Sequence, residues 1–170
     1  MMKKNKKYGF TLIEIIVVLV IIAILAAIAI PSVIGYVKDA KASRAISDAR
    51  SVYIATQAEM VIAKNEGTIP SVGKKVSDIK KEPLKSVYTK ARVEKGVGFY
   101  ILVDSNGNIE ELAYLTADKA YCALYTKARG KFIATTYQEA SEGDGIYEEL
   151  GTLLFYKYLK PNYYIIANGE

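Results

Sequence analysis

The sequence predicts an α+β protein with one long N-terminal helix and a head that contains an antiparallel sheet. Three observations carry this prediction. Residues 10–37 are mostly apolar, with Glu14 as their only charged side chain; an apolar stripe at helical spacing then continues to Ala63; and segments rich in β-forming residues alternate with turns beyond residue 97. We expect the apolar half of the helix to protrude and the amphipathic half to pack on the sheet.

The apolar segment of residues 10–30 is long enough, as a helix, to cross about 30 Å of hydrocarbon. The lysine-rich residues 3–7 precede it and a near-neutral stretch follows. This asymmetry predicts a cytoplasmic N-terminus and a head outside the cell. The net charge of +5 comes mostly from these lysines, so it is weak support for nucleic-acid binding.

Composition argues against common forms of catalysis. The chain contains no histidine, which excludes Ser-His-Asp and Cys-His catalysis and every histidine metal site. A single cysteine, Cys122, allows no intrachain disulfide. We find neither a glycine-rich phosphate loop nor zinc-ligand spacing. We therefore expect no enzyme, no catalytic residues, no cofactor and no metal.

The head of the chain differs from an ordinary export signal. A secretory signal places its small-residue cleavage site after the apolar region, whereas Gly9 precedes it. The order of parts is a basic leader, Gly9, Phe10, Thr-Leu-Ile-Glu and a long apolar helix. This pattern resembles the class III signal of type IV prepilins and related pseudopilins, and among them Gram-positive type IV major pilins. The resemblance covers residue 3 to about residue 31.

The resemblance implies specific roles for single residues. The Gly9–Phe10 bond would be cut by a prepilin peptidase, and the same enzyme would N-methylate Phe10. Glu14 would pair with the N-terminal amine of a neighbouring subunit in a filament. Pro31 falls where relatives carry a proline that kinks the helix. Many relatives have a glycine where this chain has Ala23, so any melting of the helix would depend on Pro31.

The resemblance also implies a structural function and a set of partners. The fold would be pilin-like, with a leader (1–9), a transmembrane or filament-core half-helix (10–35), an amphipathic half-helix (36–66) and a globular head (67–170). The precursor would wait in the cell membrane and then polymerise, as a homopolymer, into surface pili for adhesion, aggregation or motility. An assembly ATPase and a platform membrane protein would serve this assembly.

Three alternatives stay open. A pseudopilin of a type II secretion-like or competence system carries the same N-terminal pattern. A plain signal anchor could hold an incidental glutamate near the interface, although this leaves Gly9-Phe10 unexplained. A membrane-tethered binding module belongs to a different class of protein. Acid pairs such as Glu110-Glu111 need no catalytic explanation.

The pattern predicts a helix from about residue 11 to residue 65, with a bend at Pro31. Asn65-Glu66-Gly67 and Pro70 mark its end. Ile54 and Val61 lie off the stripe and either contact a neighbouring subunit or are ordinary exposed residues. The stripe faces the head and consists of Ala42, Ala45, Ile46, Ala49, Val52, Tyr53, Thr56, Met60 and Ala63.

In the head, residues 67–95 are predicted to form a basic loop. Strands are expected at 98–104, 109–115, 131–137 and 163–167, and a helix at 116–129, capped by Thr116. Residues 146–159 are ambiguous, and their periodicity favours a helix. The turn at 105–108 faintly resembles a calcium loop through Asp104, Asn106 and Asn108, but a plain hairpin fits better because the loop's glycine and terminal glutamate are missing.

Charge is unevenly distributed in the head. Residues 74–95 are basic and residues 139–149 are acidic. They either face each other between subunits or form two solvated loops. Binding of DNA by the basic segment lacks a stacking platform. The cluster of Tyr147, Tyr156, Tyr158, Tyr163 and Tyr164 is explained by packing.

Overall fold

A computed structural model describes residues 9–71, 75–136 and 164–168. Within these ranges the chain forms two helices and six strands. The helices are α1 (Leu12–Glu66) and α2 (Leu84–Ala91). The strands are β1 (Lys75–Val76), β2 (Gly98–Val103), β3 (Ile109–Leu115), β4 (Tyr121–Thr126), β5 (Lys131–Thr136) and β6 (Tyr164–Asn168).

The chain divides into two compact units, residues 1–39 and 40–170, and α1 contributes to both. The first unit contains the apolar part of α1, whose large side chains from Phe10 to Val37 are exposed. The helix continues without interruption past Ala23 and Pro31. The predicted helix of residues 11–65 is therefore confirmed, while the bend at Pro31 stays a prediction.

The second unit is built around a six-stranded sheet with the order β1-β6-β2-β3-β4-β5. Neighbouring strands are antiparallel except β2 and β6, which run parallel with Phe99 opposite Tyr164. The α+β, pilin-like architecture is confirmed. The sheet is mixed rather than wholly antiparallel, because β6 enters beside β2 in the same direction.

The amphipathic part of α1 packs on one face of the sheet, which we call the helix face. Its apolar stripe is confirmed: Ala45, Ala49 and Val52 are fully buried. They join one core with α2 and with alternate residues of the strands. Ile54 and Val61 are 65% and 63% exposed, as expected for positions off the stripe.

Two predictions in the head are wrong. Residues 84–91, predicted as basic loop, form α2, because Leu84, Val87 and Ala91 lie on one side of a helix and are buried in the core. Residues 116–129, predicted as a helix, contain β4. Cross-strand hydrogen bonds to β3 and β5 satisfy its backbone, and the β-forming side chains of 121–126 pack on both faces.

Thr116 does act as a cap, but of a turn between strands. Its hydroxyl accepts a hydrogen bond from the Tyr121 amide at 3.1 Å and donates one to Asp118 at 2.6 Å. The hydrogen bond from Thr116 is the main reason why the pKa of Asp118 lies below its usual value. The capping residue predicted for a helix, Thr116, therefore belongs to the turn of a hairpin.

The predicted strands at 98–104, 109–115, 131–137 and 163–167 correspond to β2, β3, β5 and β6. Tyr137 and Tyr163 lie outside the described residues. The same holds for the predicted helix at 146–159, the acidic segment 139–149 and, apart from the backbone of Tyr164, the tyrosine cluster.

A partly buried ion pair links α1 to α2. The carboxylate of Glu59 is 8% exposed and contacts the ammonium of Lys90, whose side chain is 51% exposed. A buried carboxylate that loses its partner is strongly destabilising. Glu59 is buried where α1 faces α2, so Lys90 compensates a carboxylate charge that would otherwise be stranded there.

We expect Lys90→Met to lower the free energy of unfolding by ~1–2 kcal/mol, less than for a fully buried pair because Lys90 is half exposed. The double variant Glu59→Leu/Lys90→Met should regain the loss, since no charge is left stranded. Urea unfolding of the detergent-solubilised chain, followed by tyrosine fluorescence, measures both. Equal losses in the single and double variants would contradict this account.

A second carboxylate, Glu111 on β3, is poorly compensated. Among the residues that the structure describes, its buried Oε2 atom has no hydrogen-bond partner, and neither does the buried hydroxyl of Thr126, its cross-strand neighbour. Burial, with a smaller contribution from the charge of Glu110, raises the pKa of Glu111. A raised carboxyl pKa stabilises the fold at acid pH, and this contribution is lost as the pH rises through the folded-state pKa.

Glu111→Gln should therefore stabilise the fold at pH 7, by about 0.5–1 kcal/mol for a half-buried group. The gain should disappear near pH 4, where Glu111 of the native chain is protonated. Thermal unfolding at the two pH values measures the difference. Glu110→Gln is the matched control; its 2.5 Å ion pair with Lys127 is exposed and should contribute little. A gain that does not depend on pH would refute the assignment.

Candidate functional site

The candidate site is the start of α1. Gly9 and Phe10 precede the helix and are exposed, and Phe10 is 85% exposed. Thr11 is the last residue before the first helical turn. The bond between Gly9 and Phe10 thus lies in non-helical backbone that precedes the helix. A protease can bind such backbone in extended form.

Thr11 and Glu14 bind each other reciprocally. Oε2 of Glu14 accepts hydrogen bonds from the backbone N–H and the hydroxyl of Thr11, both at 2.8 Å. The Thr11 hydroxyl oxygen in turn accepts a bond from the Glu14 amide at 3.3 Å. This is a capping box, in which the first and fourth residues of a helix start satisfy each other's free amide groups.

The capping box gives Glu14 a role within its own chain. A carboxylate in the first turn is also favoured by the positive end of the helix dipole. Sequence reasoning missed this role, although Thr-Leu-Ile-Glu carries the Thr-x-x-Glu signature of a capping box. All the bonds that Thr11 donates go to Oε2.

The remainder of the first unit offers an apolar surface. Between Glu14 and Lys38 no residue is charged, and the large apolar side chains of this stretch are exposed around the whole helix. Within the described residues, α1 is long and apolar enough to cross a membrane by length and composition, with a mean hydropathy of 3.3 in its most apolar window. Such a surface requires lipid or other apolar helices around it.

The weak calcium-loop signal is explained by a hairpin. Oδ1 of Asp104 accepts the amides of Asn106 and Asn108, each at 2.8 Å, and Oδ2 accepts the Asn108 side-chain amide at 2.7 Å. Burial pushes the pKa of Asp104 upward, but the hydrogen bonds from Asn108 and Asn106 outweigh it and hold the pKa below its usual value. Among the described residues, no group of three or more His, Cys, Asp or Glu could hold a metal ion.

One of several clefts in the second unit is polar and has a volume of about 190 Å³. Its charged groups already bind one another: Arg44 contacts Glu94 at 3.2 Å and Asp48 at 3.8 Å. The buried hydroxyl of Tyr114 donates to Asp48 at 3.4 Å. Burial, followed by the charge of Asp48, raises the pKa of Tyr114. The volume of this cleft is below the roughly 300 Å³ that ligand pockets usually reach.

Comparison with known protein families gives one match in the same region. Residues 4–30 match the family model described as the prokaryotic N-terminal methylation motif. The comparisons with curated proteins and with solved structures find no match. The family match thus includes Gly9, Phe10 and Glu14 and stops before Pro31, so it concerns the signal and the apolar helix rather than the head.

Such a motif implies processing by a prepilin peptidase and assembly into pilus-like polymers. Together with the exposed apolar helix it also indicates a precursor anchored in the membrane. Residues 4–30 are therefore a class III signal, which supports identifying the chain as a prepilin of the type IV pilin or pseudopilin type.

Proposed function

We propose that the protein is the major subunit of a type IV pilus. A prepilin peptidase cuts the Gly9–Phe10 bond and methylates the new amino group of Phe10. The subunit is stored in the cell membrane and then polymerises through its N-terminal helix into surface filaments for adhesion, aggregation or motility. The protein is a structural subunit and not an enzyme.

The observation that carries this proposal is the pairing of a wholly exposed apolar helix with one carboxylate at its start. Transfer of the helix from water to an apolar environment is favourable by about 25 cal/mol for each Å² of apolar surface that is buried. A charge held in that apolar environment costs at least ~2.5–3.5 kcal/mol unless it is compensated. The N-terminal amine of a neighbouring subunit supplies the compensation, because cleavage at Gly9 creates a positive charge at Phe10.

Assembly in register follows from the same charge. A subunit placed one turn too high or too low would bring Glu14 next to apolar side chains instead of an amine. The cost of a stranded buried charge, ~3–5 kcal/mol, then selects the correct position. An assembly ATPase and a platform membrane protein are the partners that would extract the helix from the bilayer.

The first test is the chemistry of the N-terminus. Intact-mass and peptide mass spectrometry of protein recovered from the cell surface should show a chain that begins at Phe10 and carries one additional methyl group. Gly9→Leu should leave the leader in place, because a bulky side chain replaces the small residue at the cut. An intact leader on surface-exposed native protein would overturn the proposal.

The second test separates a pilin from a pseudopilin. Both share the N-terminal signal, so the filament itself must be observed. Electron microscopy with antibodies against the head should show long surface fibres that contain this protein. Absence of fibres, with loss of secretion or DNA uptake on deletion of the gene, would favour a pseudopilin or competence role.

A further inference from the structure

A cleft of about 550 Å³ lies where the last turns of α1 meet the turn between β2 and β3. Its walls are formed by α1 between Tyr53 and Lys64, by residues 106–108 of the turn, and by Tyr125 and Lys127 at the end of β4. The volume is within the roughly 300–1,000 Å³ of sites for small molecules. We call it the tyrosine cleft.

A glycine brings the turn close to the helix. Gly107 is buried and has a φ of 81°, a left-handed conformation that favours glycine. A Cβ atom at this position would lie 3.2 Å from Cβ of Met60 and 3.2 Å from Cδ1 of Ile69. The turn can therefore approach α1, and it places Asn106 and Asn108 in the wall of the cleft.

Three side chains of the tyrosine cleft form a directed chain of hydrogen bonds. Nε2 of Gln57 donates to the hydroxyl of Tyr53 at 3.1 Å, and this hydroxyl donates to that of Tyr125 at 3.4 Å. Burial, followed by the hydrogen bond to Tyr125, raises the pKa of Tyr53 to about 12, so its hydroxyl stays protonated. Among the described residues, none accepts the proton of the Tyr125 hydroxyl. The chain thus ends in a donor that a ligand can use.

Two amide side chains add further hydrogen-bonding capacity. Within the described part of the chain, Oε1 of Gln57 and the side-chain amide of Asn106 have no partner, and both residues are exposed. A planar amide holds an acceptor and two donors in one plane. This arrangement matches two hydroxyl groups on adjacent carbon atoms, as a sugar ring presents them.

The two tyrosines also supply apolar surface. Their rings pack edge to face with centroids 4.8 Å apart, and both residues are half-buried. Tyrosine rings lose little conformational entropy when a ligand packs on them. The face of the ring carries partial negative charge and attracts the C–H groups on one face of a sugar, whose carbon atoms are electron-poor because they bear oxygen. Tyr53 and Tyr125 therefore suit a carbohydrate.

The charge of the tyrosine cleft comes from two lysines, of which one is free to act on a ligand. Nζ of Lys127 contacts Glu110 at 2.5 Å, and the charge of Asp104 also acts on it. Lys64, in the last turn of α1, is exposed and forms no ion pair with a described residue. One free ammonium favours a ligand with one carboxylate. A nucleic acid fits less well, because Glu110 and Asp104 would repel its phosphates.

We propose that the tyrosine cleft binds an acidic saccharide, a sugar unit that carries a carboxylate within a longer glycan. The rings of Tyr53 and Tyr125 pack on the face of the sugar. Its hydroxyl groups bind to Gln57, to Asn106 and to the hydroxyl of Tyr125, while Lys64 binds the carboxylate. This inference does not depend on the proposed pilus function.

Calorimetric titration of the full-length chain in a sugar-free detergent tests the proposal. The probes are tetrasaccharides of polygalacturonate, polymannuronate and hyaluronan, which all carry ring carboxylates but differ in the arrangement of their hydroxyl groups. We expect saturable binding of at least one probe. Its methyl ester, which keeps every hydroxyl and lacks the charge, should bind about fivefold more weakly, as for an exposed ion pair. Absence of saturable binding to all three probes, or equal binding of the ester, would overturn the proposal.

Two variants locate the site. Lys64→Gln should remove the difference between the acid and its ester, because no ammonium is left to bind the carboxylate. Tyr125→Phe keeps the ring and removes the last donor of the hydrogen-bond chain, so it should weaken binding of both by about threefold to tenfold. An unchanged affinity in Tyr125→Phe would contradict the proposal, since the sugar would then bind elsewhere.

Lys85→Gln is the matched control. Lys85 is an exposed lysine of α2 that does not line the tyrosine cleft, so this variant should bind the acid and its ester as the native chain does. If Lys85→Gln weakens binding of the acid as much as Lys64→Gln does, non-specific attraction to a basic surface explains the binding and the proposal is wrong.

Discussion

Glu14→Ala should abolish filaments while the protein still inserts into the membrane. The apolar helix is unchanged by the substitution, so insertion has no reason to fail. In an assembled filament, however, the amine of each Phe10 would lose its counter-charge. We expect a loss of ~3–5 kcal/mol for each subunit contact, which is enough to remove visible fibres. Electron microscopy and fractionation of membranes measure the two outcomes separately.

The capping box makes a sharper version of this experiment possible. Glu14→Gln keeps a side chain that can cap the helix start but removes the charge, so it should fail to assemble as Glu14→Ala does. Thr11→Ala removes the hydroxyl that binds Oε2 and keeps the charge, so it should still form fibres. If Glu14→Gln assembles normally while Thr11→Ala does not, capping and not charge pairing is the role of Glu14.

Phe99→Ala should cause the largest loss of stability in the head. Phe99 is fully buried on β2, in the middle of the sheet, within the core that joins α1 to the strands. Removing a buried phenylalanine typically costs ~3–5 kcal/mol, since the surrounding core cannot collapse into the space. Urea unfolding of the detergent-solubilised chain should show a midpoint far below that of the native protein.

Phe132→Ala is the matched control for this prediction. Phe132 lies on the edge strand β5, is half-buried, and contacts Tyr125 and Tyr53 with ring centroids 5.0 and 5.8 Å apart. Its loss should cost about 1–2 kcal/mol, because solvent already reaches the site. A Phe99 variant no less stable than the Phe132 variant would place the centre of the core elsewhere.

The sequence predicted α1 and the β2–β3 hairpin because their signals are local. A stripe at helical spacing over many turns has few alternative explanations, and Ser105-Asn106-Gly107-Asn108 is a turn by its chemistry alone. The sequence prediction missed α2 because it followed the basic composition of the segment and not the helical spacing of Leu84 and Val87. The helix predicted at 116–129 failed because Thr116 and Gly130 cap turns as readily as helices.

Other features depend on contacts between distant residues, and no local pattern reveals them. The ion pair between Glu59 of α1 and Lys90 of α2 is one such feature, because nothing near Glu59 in the sequence indicates its partner. The position of β6 between β1 and β2 follows from the packing of the whole sheet. For the site, the sequence predicted Gly9, Phe10 and Glu14. The hydrogen bonds between Thr11 and Glu14 were not predicted, although the Thr-x-x-Glu signature of a capping box indicates them.

The insertion of β6 beside β2 has a consequence for biogenesis. The central strands of the sheet include one encoded at residues 164–168, more than a third of the chain away from its neighbour at 98–103. The hairpins of residues 98–136 can fold as soon as this part of the chain has been synthesised. The pairing of β2 with β6 must wait until residues 164–168 are available. The head must therefore stay incomplete until residues 164–168 have been synthesised, and a ribosome stalled before residue 164 would leave an unpaired strand edge exposed to aggregation.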